Sequence, residues 1–273
     1  MKDRYLSIKY VLLCIFAVAI LVPLVIVFFG AFKSSGELFN NPFGIPHDVV
    51  FGNFKTAFVK GNMVVYFRNT IFVAAVSLVL ILAFSCIAAY AVTRNNFKFA
   101  DPIYYYFMFG LTIPVQVIMI PSYLMMAGLH LVNNIWSLVI IYVSTAMSFS
   151  VFILSGFFRT VPVEMEEAAT IDGCSEMQAF TKVILPLCKP AVSTILIFNL
   201  LYIWNDLYNP LLFIRSENIK TLALGLTKYM GRYIANYPIM FAAIVIASLP
   251  VITVFLLLQK QFVAGITSGA VKG

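Results

Sequence analysis

Six apolar runs, each long enough to cross a lipid bilayer, constrain this chain more than any other feature. The hydrocarbon core of a membrane is about 30 Å thick, so a spanning helix needs about 20 apolar residues. The runs do not alternate and are about twice as long as barrel strands, and in lipid only helices then satisfy every backbone polar group. We predict an all-α integral membrane protein, a single transmembrane domain over residues 1–273, with spans at approximately residues 10–32, 67–92, 103–126, 135–158, 191–213 and 238–259.

Composition and charge agree with a multi-pass membrane protein. The chain is 62% hydrophobic and 11% charged, with a mean hydropathy of +0.97, which excludes an ordinary soluble domain. Its net charge of +7 comes from bases at the ends of the runs, so anionic lipid headgroups explain it better than nucleic acid does.

The bases also predict the orientation of the chain. Lys2, Arg4 and Lys9 precede the first run, and Arg94 and Lys98 follow the second, whereas the connection between the third and fourth runs has no base. The positive-inside rule then places both termini in the cytoplasm. The first run is too long for a signal peptide, so we expect it to remain as a span of the cell membrane.

The sequence offers no catalytic or metal-binding constellation. The four cysteines have no CxxC spacing, and the two histidines fall in loops far apart in the sequence. The six runs contain neither histidine nor lysine and one acid, Asp206, which is too little for an intramembrane enzyme and thin support for a secondary transporter. Because the chain lacks the phosphate-loop pattern GxxxxGKS or GxxxxGKT, we expect no ATP hydrolysis and no cofactor in this chain.

Three of the eleven acids crowd into one turn of the polar segment at residues 159–190. They are Glu164, Glu166 and Glu167. Pro162 favours a helix start, and the three carboxylates meet the positive end of the helix dipole. Gly173 supplies a left-handed stop, so the pattern predicts one short helix from about Pro162 to Asp172.

A second helix of this segment is predicted to start at once. Ser175 and Gln178, three residues apart, fit a capping box, and Pro186 and Pro190 limit the helix that follows. The segment is therefore expected to form a helix, a turn and a helix under the membrane.

Projection of the first helix at about 100° per residue separates two sides. One side carries Met165, Ala168, Ala169 and Asp172, and the other carries Glu166, Glu167 and Thr170. Small residues beside carboxylates would let a partner with basic side chains approach closely. The alternative is that the acids only complement the helix dipole, worth about 0.3–1 kcal/mol each.

The stretch "EEAATIDGCSEMQAFTKVILP" resembles the cytoplasmic signature of the membrane subunits of ATP-binding-cassette importers that work with a binding protein. That signature is Glu-Ala-Ala, three residues, Gly, nine residues and Ile-x-Leu-Pro. It matches here at Glu167, Ala168, Ala169, Gly173, Leu185 and Pro186, with Val183 in place of isoleucine. Further stretches, including "YIWNDLYNPLLF" and "QKQFVAGITSGAVKG", resemble the carbohydrate branch, the second permease subunit of maltose-type importers.

The resemblance implies a type I importer permease fold and a set of partners. These are a homologous second permease, two ATPase subunits that bind ATP and Mg, an extracellular solute-binding protein, and a sugar substrate. It also implies that the first short helix is a coupling helix seated in a cleft of an ATPase. The residues expected to serve this coupling are Glu166, Glu167, Ala168, Ala169, Asp172, Gly173, Leu185 and Pro186.

A path for the substrate is expected along the third and fifth runs. Pro114 and Pro121 should kink the third run around Gln116 and free backbone carbonyls. In the fifth run Asp206 should face a cavity or a partner, because a charge near the bilayer centre costs about 2.5–3.5 kcal/mol. With Trp204 and Asn205 it offers an aromatic face and polar groups suited to sugar hydroxyls.

Two alternatives remain open at this stage. Asp206 could instead stabilise the contact with the second permease or pair with Arg215, and the importer could carry a solute other than a sugar. The external loop at residues 215–237 is expected to meet the binding protein, or else to be a solvated connector.

Overall fold

The computed structural model describes residues 2–94, 98–230 and 236–270, and these residues form helices joined by short turns. The α-helices are α1 Lys2–Gly30, α2 Ser35–Asn40, α3 Gly52–Lys55, α4 Met63–Arg94, α5 Ala100–Gly110, α6 Val115–Gly128, α7 Ile135–Phe158, α8 Glu164–Ile171, α9 Glu176–Ala179, α10 Leu185–Leu187, α11 Lys189–Asn205, α12 Tyr208–Phe213, α13 Leu222–Leu226 and α14 Tyr237–Ala270. Single π turns follow α3 and α9, at Thr56–Lys60 and Phe180–Ile184.

Four of the six predicted spans are continuous helices in the described part of the chain. The apolar parts that are long enough to cross a membrane are Ile8–Gly30, Met63–Arg94, Ile135–Phe158 and Tyr237–Leu257. The other two predicted spans belong to bent helix pairs, and counting each pair as one span gives up to 6 crossings. The all-α membrane fold is thus confirmed.

The third predicted span, residues 103–126, is a bent helix pair, and its break lies beside Pro114, where a kink was expected. It consists of α5 and α6, which are bent by 102° at the break between them. Pro114 causes the break, since it lacks a backbone N–H and adopts an extended conformation with φ −62° and ψ 133° at the start of α6. Pro121, in contrast, lies inside α6.

The fifth predicted span, residues 191–213, is also not continuous. α11 ends at Asn205, Asp206 is extended with φ −71° and ψ 122°, and α12 begins at Tyr208. At its other end α11 meets the preceding helical segment at a bend of 75°. A count of apolar residues misses both features, because neither interrupts the hydrophobic run.

Contacts divide the chain into two compact units. Residues 1–66 and 224–250 form the first, and residues 67–223 and 251–273 form the second. In the second unit α7 is the central helix and packs on α5, α6, α11 and α12. Its Leu138, Val151 and Leu154 are fully buried.

In the first unit a buried lysine holds the loop that follows α1. Lys33 is 0% exposed, and its Nζ donates hydrogen bonds of 2.6 Å to the carbonyl oxygens of Asn41 and Gly44. Asn53 Nδ2 donates to the carbonyls of Ala31 and Lys33 at 2.9 and 2.8 Å. The charged amine therefore replaces water for two loop carbonyls.

We predict that Lys33→Met loosens this loop, because the carbonyls of the half-buried Asn41 and Gly44 lose a charged donor. A cost of about 2 kcal/mol for the lost hydrogen bonds corresponds to about 30-fold more frequent opening. The rate of protease cleavage between residues 41 and 50 of the purified protein measures that opening. Lys55→Met, at an exposed lysine, is the control, and equal cleavage of the two variants would contradict the prediction.

Candidate functional site

The short helix predicted from the acid cluster is present as α8. It runs from Glu164 to Ile171, within the predicted bounds, with all three acids in its first turn. Gly173 has φ +86°, and its N–H and that of Cys174 donate to the carbonyls of Thr170 and Ala169 at 3.0 and 2.9 Å. These two bonds form a Schellman motif, which confirms the predicted left-handed stop.

The predicted capping box is also confirmed. Gln178 Oε1 accepts from the Ser175 N–H at 3.0 Å, and the Gln178 N–H donates to Ser175 Oγ at 3.4 Å. The helical stretch then passes through the π turn and α10, where Leu185 is half-buried and Pro186 is exposed. Two well-capped helix ends therefore enclose the tight turn at Gly173.

A buried ion pair fastens α8 to the end of α4. Arg94 Nε lies 2.6 Å from Glu166 Oε1, and the side chains are only 8% and 15% exposed. Arg94 Nη2 donates to the Val161 carbonyl at 2.7 Å, and the Tyr90 hydroxyl donates to Glu166 Oε2 at 3.1 Å. We call these four residues, Tyr90, Arg94, Val161 and Glu166, the clamp. The clamp ties the last turn of α4 to both the start of α8 and the turn before it.

An aromatic cluster lies next to the clamp. The ring of Tyr90 is 4.8 Å from that of Phe180 and 6.4 Å from that of Phe158, and the two phenylalanine rings are 5.9 Å apart. Phe158 is fully buried and Phe180 is 9% exposed. Such edge and tilted pairs are worth about 0.5–1.5 kcal/mol each beyond their area, so the ends of α4, α7 and α9 are packed together here.

The structure divides the predicted coupling residues between two faces of the segment. Glu166 and Ala169, three residues apart, face the body of the chain, and Ala169 is 7% exposed. The residues exposed to solvent are Glu167, Ala168, Asp172 and Gly173. The projection that joins both alanines on one docking side is therefore corrected, because a buried line through Glu166 and Ala169 excludes Ala168.

Exposed apolar side chains surround this outer face. Ile171 is 87% exposed, Met177 66% and Met165 44%. Large apolar side chains exposed on a polar segment are typical of a surface that another protein covers. Sequence reasoning missed Ile171 and Met177 as members of this surface. An isoleucine between the acid cluster and Gly173 was a signal that could have indicated Ile171.

Asp206 lies at the break between α11 and α12 with its carboxylate fully engaged. Oδ2 accepts from the Tyr142 hydroxyl at 2.9 Å and from Asn209 Nδ2 at 2.7 Å, while Oδ1 accepts from the Tyr208 N–H at 3.0 Å. Arg215, proposed as a partner for Asp206, instead donates from Nη2 to the Tyr123 hydroxyl at 2.9 Å. The carboxylate therefore stabilises the helix break itself.

The other residues of the predicted substrate path are dispersed. Trp204 is 8% exposed, and its ring lies 6.1 Å from that of Phe67. Asn205 is exposed and donates to the Leu201 carbonyl. Gln116 is exposed in the first turn of α6. A cavity of about 240 Å³ lies at the start of α6, beside α7 and α11. Its lining residues are Val115, Thr145, Ala146, Phe149, Phe198, Asn199 and Tyr202.

Two asparagines hold the start of the loop that follows α12. Asn133 Oδ1 accepts from the N–H groups of Arg215 and Ser216 at 3.0 and 2.8 Å. Asn69 Nδ2 donates to the carbonyls of Asn218 and Lys220, both at 2.9 Å. Part of the loop expected to meet a binding protein, residues 231–235, lies outside the described residues.

We predict that Gly173→Ala weakens α8, because an L side chain at φ +86° costs about 1–2 kcal/mol. The space around the glycine is open, so the cost is that of the backbone alone. Hydrogen exchange of residues 164–174 should be about 5–30 times faster in the variant. Gly156→Ala, where the space is also open but the glycine lies within α7, is the control and should leave this exchange unchanged.

We predict that Asp206→Leu destabilises the protein more than Asp206→Asn does. Leucine leaves the donors of Tyr142, Tyr208 and Asn209 without their acceptor, at about 1–3 kcal/mol for each buried group, whereas asparagine keeps one oxygen. The thermal midpoint of the detergent-solubilised protein measures the difference. Asn205→Leu, at the exposed neighbour, is the control, and a midpoint for Asp206→Leu equal to that of the control would refute the structural role.

Comparison with known proteins places this arrangement in a family. Residues 81–268 match the family of binding-protein-dependent transport system inner membrane components. The multiple sugar-binding transport system permease protein MsmG of Streptococcus mutans is 35% identical over 97% of this chain and 96% of its own. The melibiose/raffinose/stachyose import permease protein MelC of Bacillus subtilis is 32% identical over 100% of this chain and 99% of its own.

The fold is shared with a solved structure. A chain of a bacterial ATP-binding-cassette transporter involved in import of the acidic polysaccharide alginate superposes with a TM-score of 0.86 at 26% identity, covering 96% of this chain and 98% of that one. This confirms the predicted type I importer permease fold and a multi-pass protein of the inner membrane. The chain belongs to the family of binding-protein-dependent transport system inner membrane components.

Proposed function

We propose that this chain is a permease subunit of an importer that moves a carbohydrate across the cytoplasmic membrane, driven by ATP hydrolysis in separate subunits. The observation that carries the proposal is the outer face of α8, where Glu167, Ala168 and Ile171 are exposed while the clamp holds the helix from behind. The sugar assignment rests on the relatives, whose names describe sugar import.

The partners follow from this role. A homologous second permease completes the translocation path, and the apolar window of α1, of which 0% is buried, is free for lipid or for that subunit. Two ATPase subunits bind ATP and Mg, and an extracellular solute-binding protein delivers the sugar. Both termini and α8 lie in the cytoplasm, in keeping with Arg94 and Lys98 at the end of the second apolar run.

The outer face of α8 suits an ATPase cleft in three ways. Ala168 lets a partner approach the backbone, Ile171 supplies an apolar anchor, and Glu167 offers a charge for a basic side chain. The Schellman stop at Gly173 ends the helix at a defined length. Closure of the ATPase pair on ATP then displaces α8 as one rigid piece, and the spans attached to it change from inward-facing to outward-facing.

The helix breaks supply candidates for the path. Where α5 meets α6 and α11 meets α12, the chain leaves the helical conformation, which membrane proteins tolerate only beside protein or water. Discontinuous helices of this kind border substrate sites in other transporters. The aromatic rings of Phe149, Phe198 and Tyr202 in the nearby cavity can pack on the apolar faces of a sugar, so this cavity is a better candidate for the path than Asp206.

We predict that Glu167→Lys and Gly173→Pro each lower ATP-driven sugar uptake by tenfold or more. The first reverses the exposed charge of the docking face, and the second removes the N–H that closes α8 and forbids its positive φ. Uptake and ATPase activity are measured in membranes that contain the complete transporter. Asp101→Lys, at an exposed acid of α5, is the control, and full substrate-stimulated activity in both variants would rule out the coupling role.

A further inference from the structure

The clamp is more than a fold contact, because it joins the proposed docking helix to a membrane span. Glu166 belongs to α8 and Arg94 is the last residue of α4, which begins at Met63 and is long enough to cross the membrane. The two residues are 72 positions apart in the sequence, from 94 to 166, and their charged groups meet at 2.6 Å. A force on α8 therefore has a direct route to α4.

We propose that the Arg94–Glu166 ion pair, supported by the Tyr90 hydroxyl, is the joint that carries the displacement of α8 to the cytoplasmic end of α4. This proposal rests on the proposed function. It assigns two neighbouring glutamates to opposite tasks: Glu167 meets the ATPase, whereas Glu166 is a positioning residue that binds within its own chain.

Burial separates the two glutamates. Glu166 is 15% exposed at its side chain and Ala169, one turn further on, is 7% exposed, whereas Glu167 and Ala168 between them are exposed. A glutamate that formed the rim of a docking surface would have to leave an arginine unpaired in a site that is only 8% exposed. Loss of a partner for a charge of such low exposure is strongly unfavourable.

The geometry of the arginine makes the joint stiff. Its guanidinium makes an ionic contact with Glu166 through Nε and donates a hydrogen bond from Nη2 to the Val161 carbonyl, so it contacts the helix and the turn that precedes it at the same time. The second oxygen of Glu166 is held by Tyr90, one turn before Arg94 in α4. Rotation of α8 about either contact alone is therefore blocked by the other.

Aromatic contacts of Tyr90 also attach this segment to α4. Tyr90 also packs on Phe180, which follows α9, and on Phe158 at the end of α7. The hydroxyl of Tyr90 serves the ion pair while its ring serves the aromatic cluster. α8 and α9 are therefore both attached to α4, and α4 moves with the segment as one body.

The test uses the complete transporter, purified with its ATPases, second permease and binding protein and reconstituted in proteoliposomes. The variants are Glu166→Gln, Arg94→Glu and the exchange Arg94→Glu/Glu166→Arg. The readout is the number of sugar molecules imported per ATP hydrolysed by assembled complexes. A contact needed only for folding would reduce the yield of complexes but leave this ratio unchanged.

We expect Glu166→Gln and Arg94→Glu to lower the ratio about tenfold, with ATPase subunits still bound through Glu167 and Ile171. The exchange should recover at least a third of the native ratio, but not all of it, since the Val161 carbonyl loses its donor. The proposed joint would be overturned if both single variants import sugar per ATP within twofold of the native ratio, or if the exchange recovers none of that ratio.

Two controls keep the outcome unambiguous. Lys98→Glu and Asp101→Arg change the same charges at exposed positions close to the end of α4, and both should keep the native ratio.

If Arg94→Glu does not assemble, Arg94→Lys replaces it, because lysine keeps the charge without the two-pronged contact. If the native complex imports no sugar with ATP, the proposed function fails; if it does and the clamp variants behave as native, only the joint fails.

Discussion

The ion pair between Arg94 and Glu166 is the interaction on which the packing of α8 against α4 depends. In a site where both side chains are largely removed from water, the charges are weakly screened and each requires the other. Because Glu166 faces Arg94, the helical period of α8 also buries Ala169, about one turn further on. The same period leaves Glu167, Ala168 and Ile171 exposed. The ion pair thus determines which residues of α8 are exposed.

Two of the apolar runs contain breaks in their helices, and each break must be stabilised locally. Pro114 ends one helical direction and starts another, since it has no N–H to give. At the other break the Asp206 carboxylate accepts from the backbone of Tyr208 and from two side chains, and so replaces the helical bonds that are lost. One acid in an apolar segment is explained by this arrangement without a bound ligand.

Local sequence rules succeeded where the determinants are local. The apolar runs gave the membrane class, the glycine at position 173 gave the end of α8, and the pair Ser175 and Gln178 gave the next helix start. Each of these depends on residues within one or two turns. The kink of the third run was expected from Pro114, although not its angle of 102°. The break at Asp206 in the fifth run was missed, because a hydrophobic count does not register a polar pair inside an apolar stretch.

The clamp could not be found from local patterns, since its partners are separated by most of two membrane spans. Arg94 appeared only as a base that orients the chain, and Glu166 only as one of three similar acids. Which acid turns inward depends on the tertiary packing of α4 against α8, and no spacing in the sequence expresses it. The resemblance to importer permeases identified the segment but did not divide its residues between inner and outer faces.

We propose that α8 receives the motion of the ATPases and that the clamp passes it to the membrane spans. Transport through this chain is then expected to depend on ATP hydrolysis by other subunits. The most direct measurement is uptake of labelled oligosaccharide into vesicles that contain this chain and its second permease, with and without the ATPase subunits. We predict uptake only when the ATPases, ATP and the binding protein are all present, and uptake driven by an ion gradient in their absence would contradict this proposal.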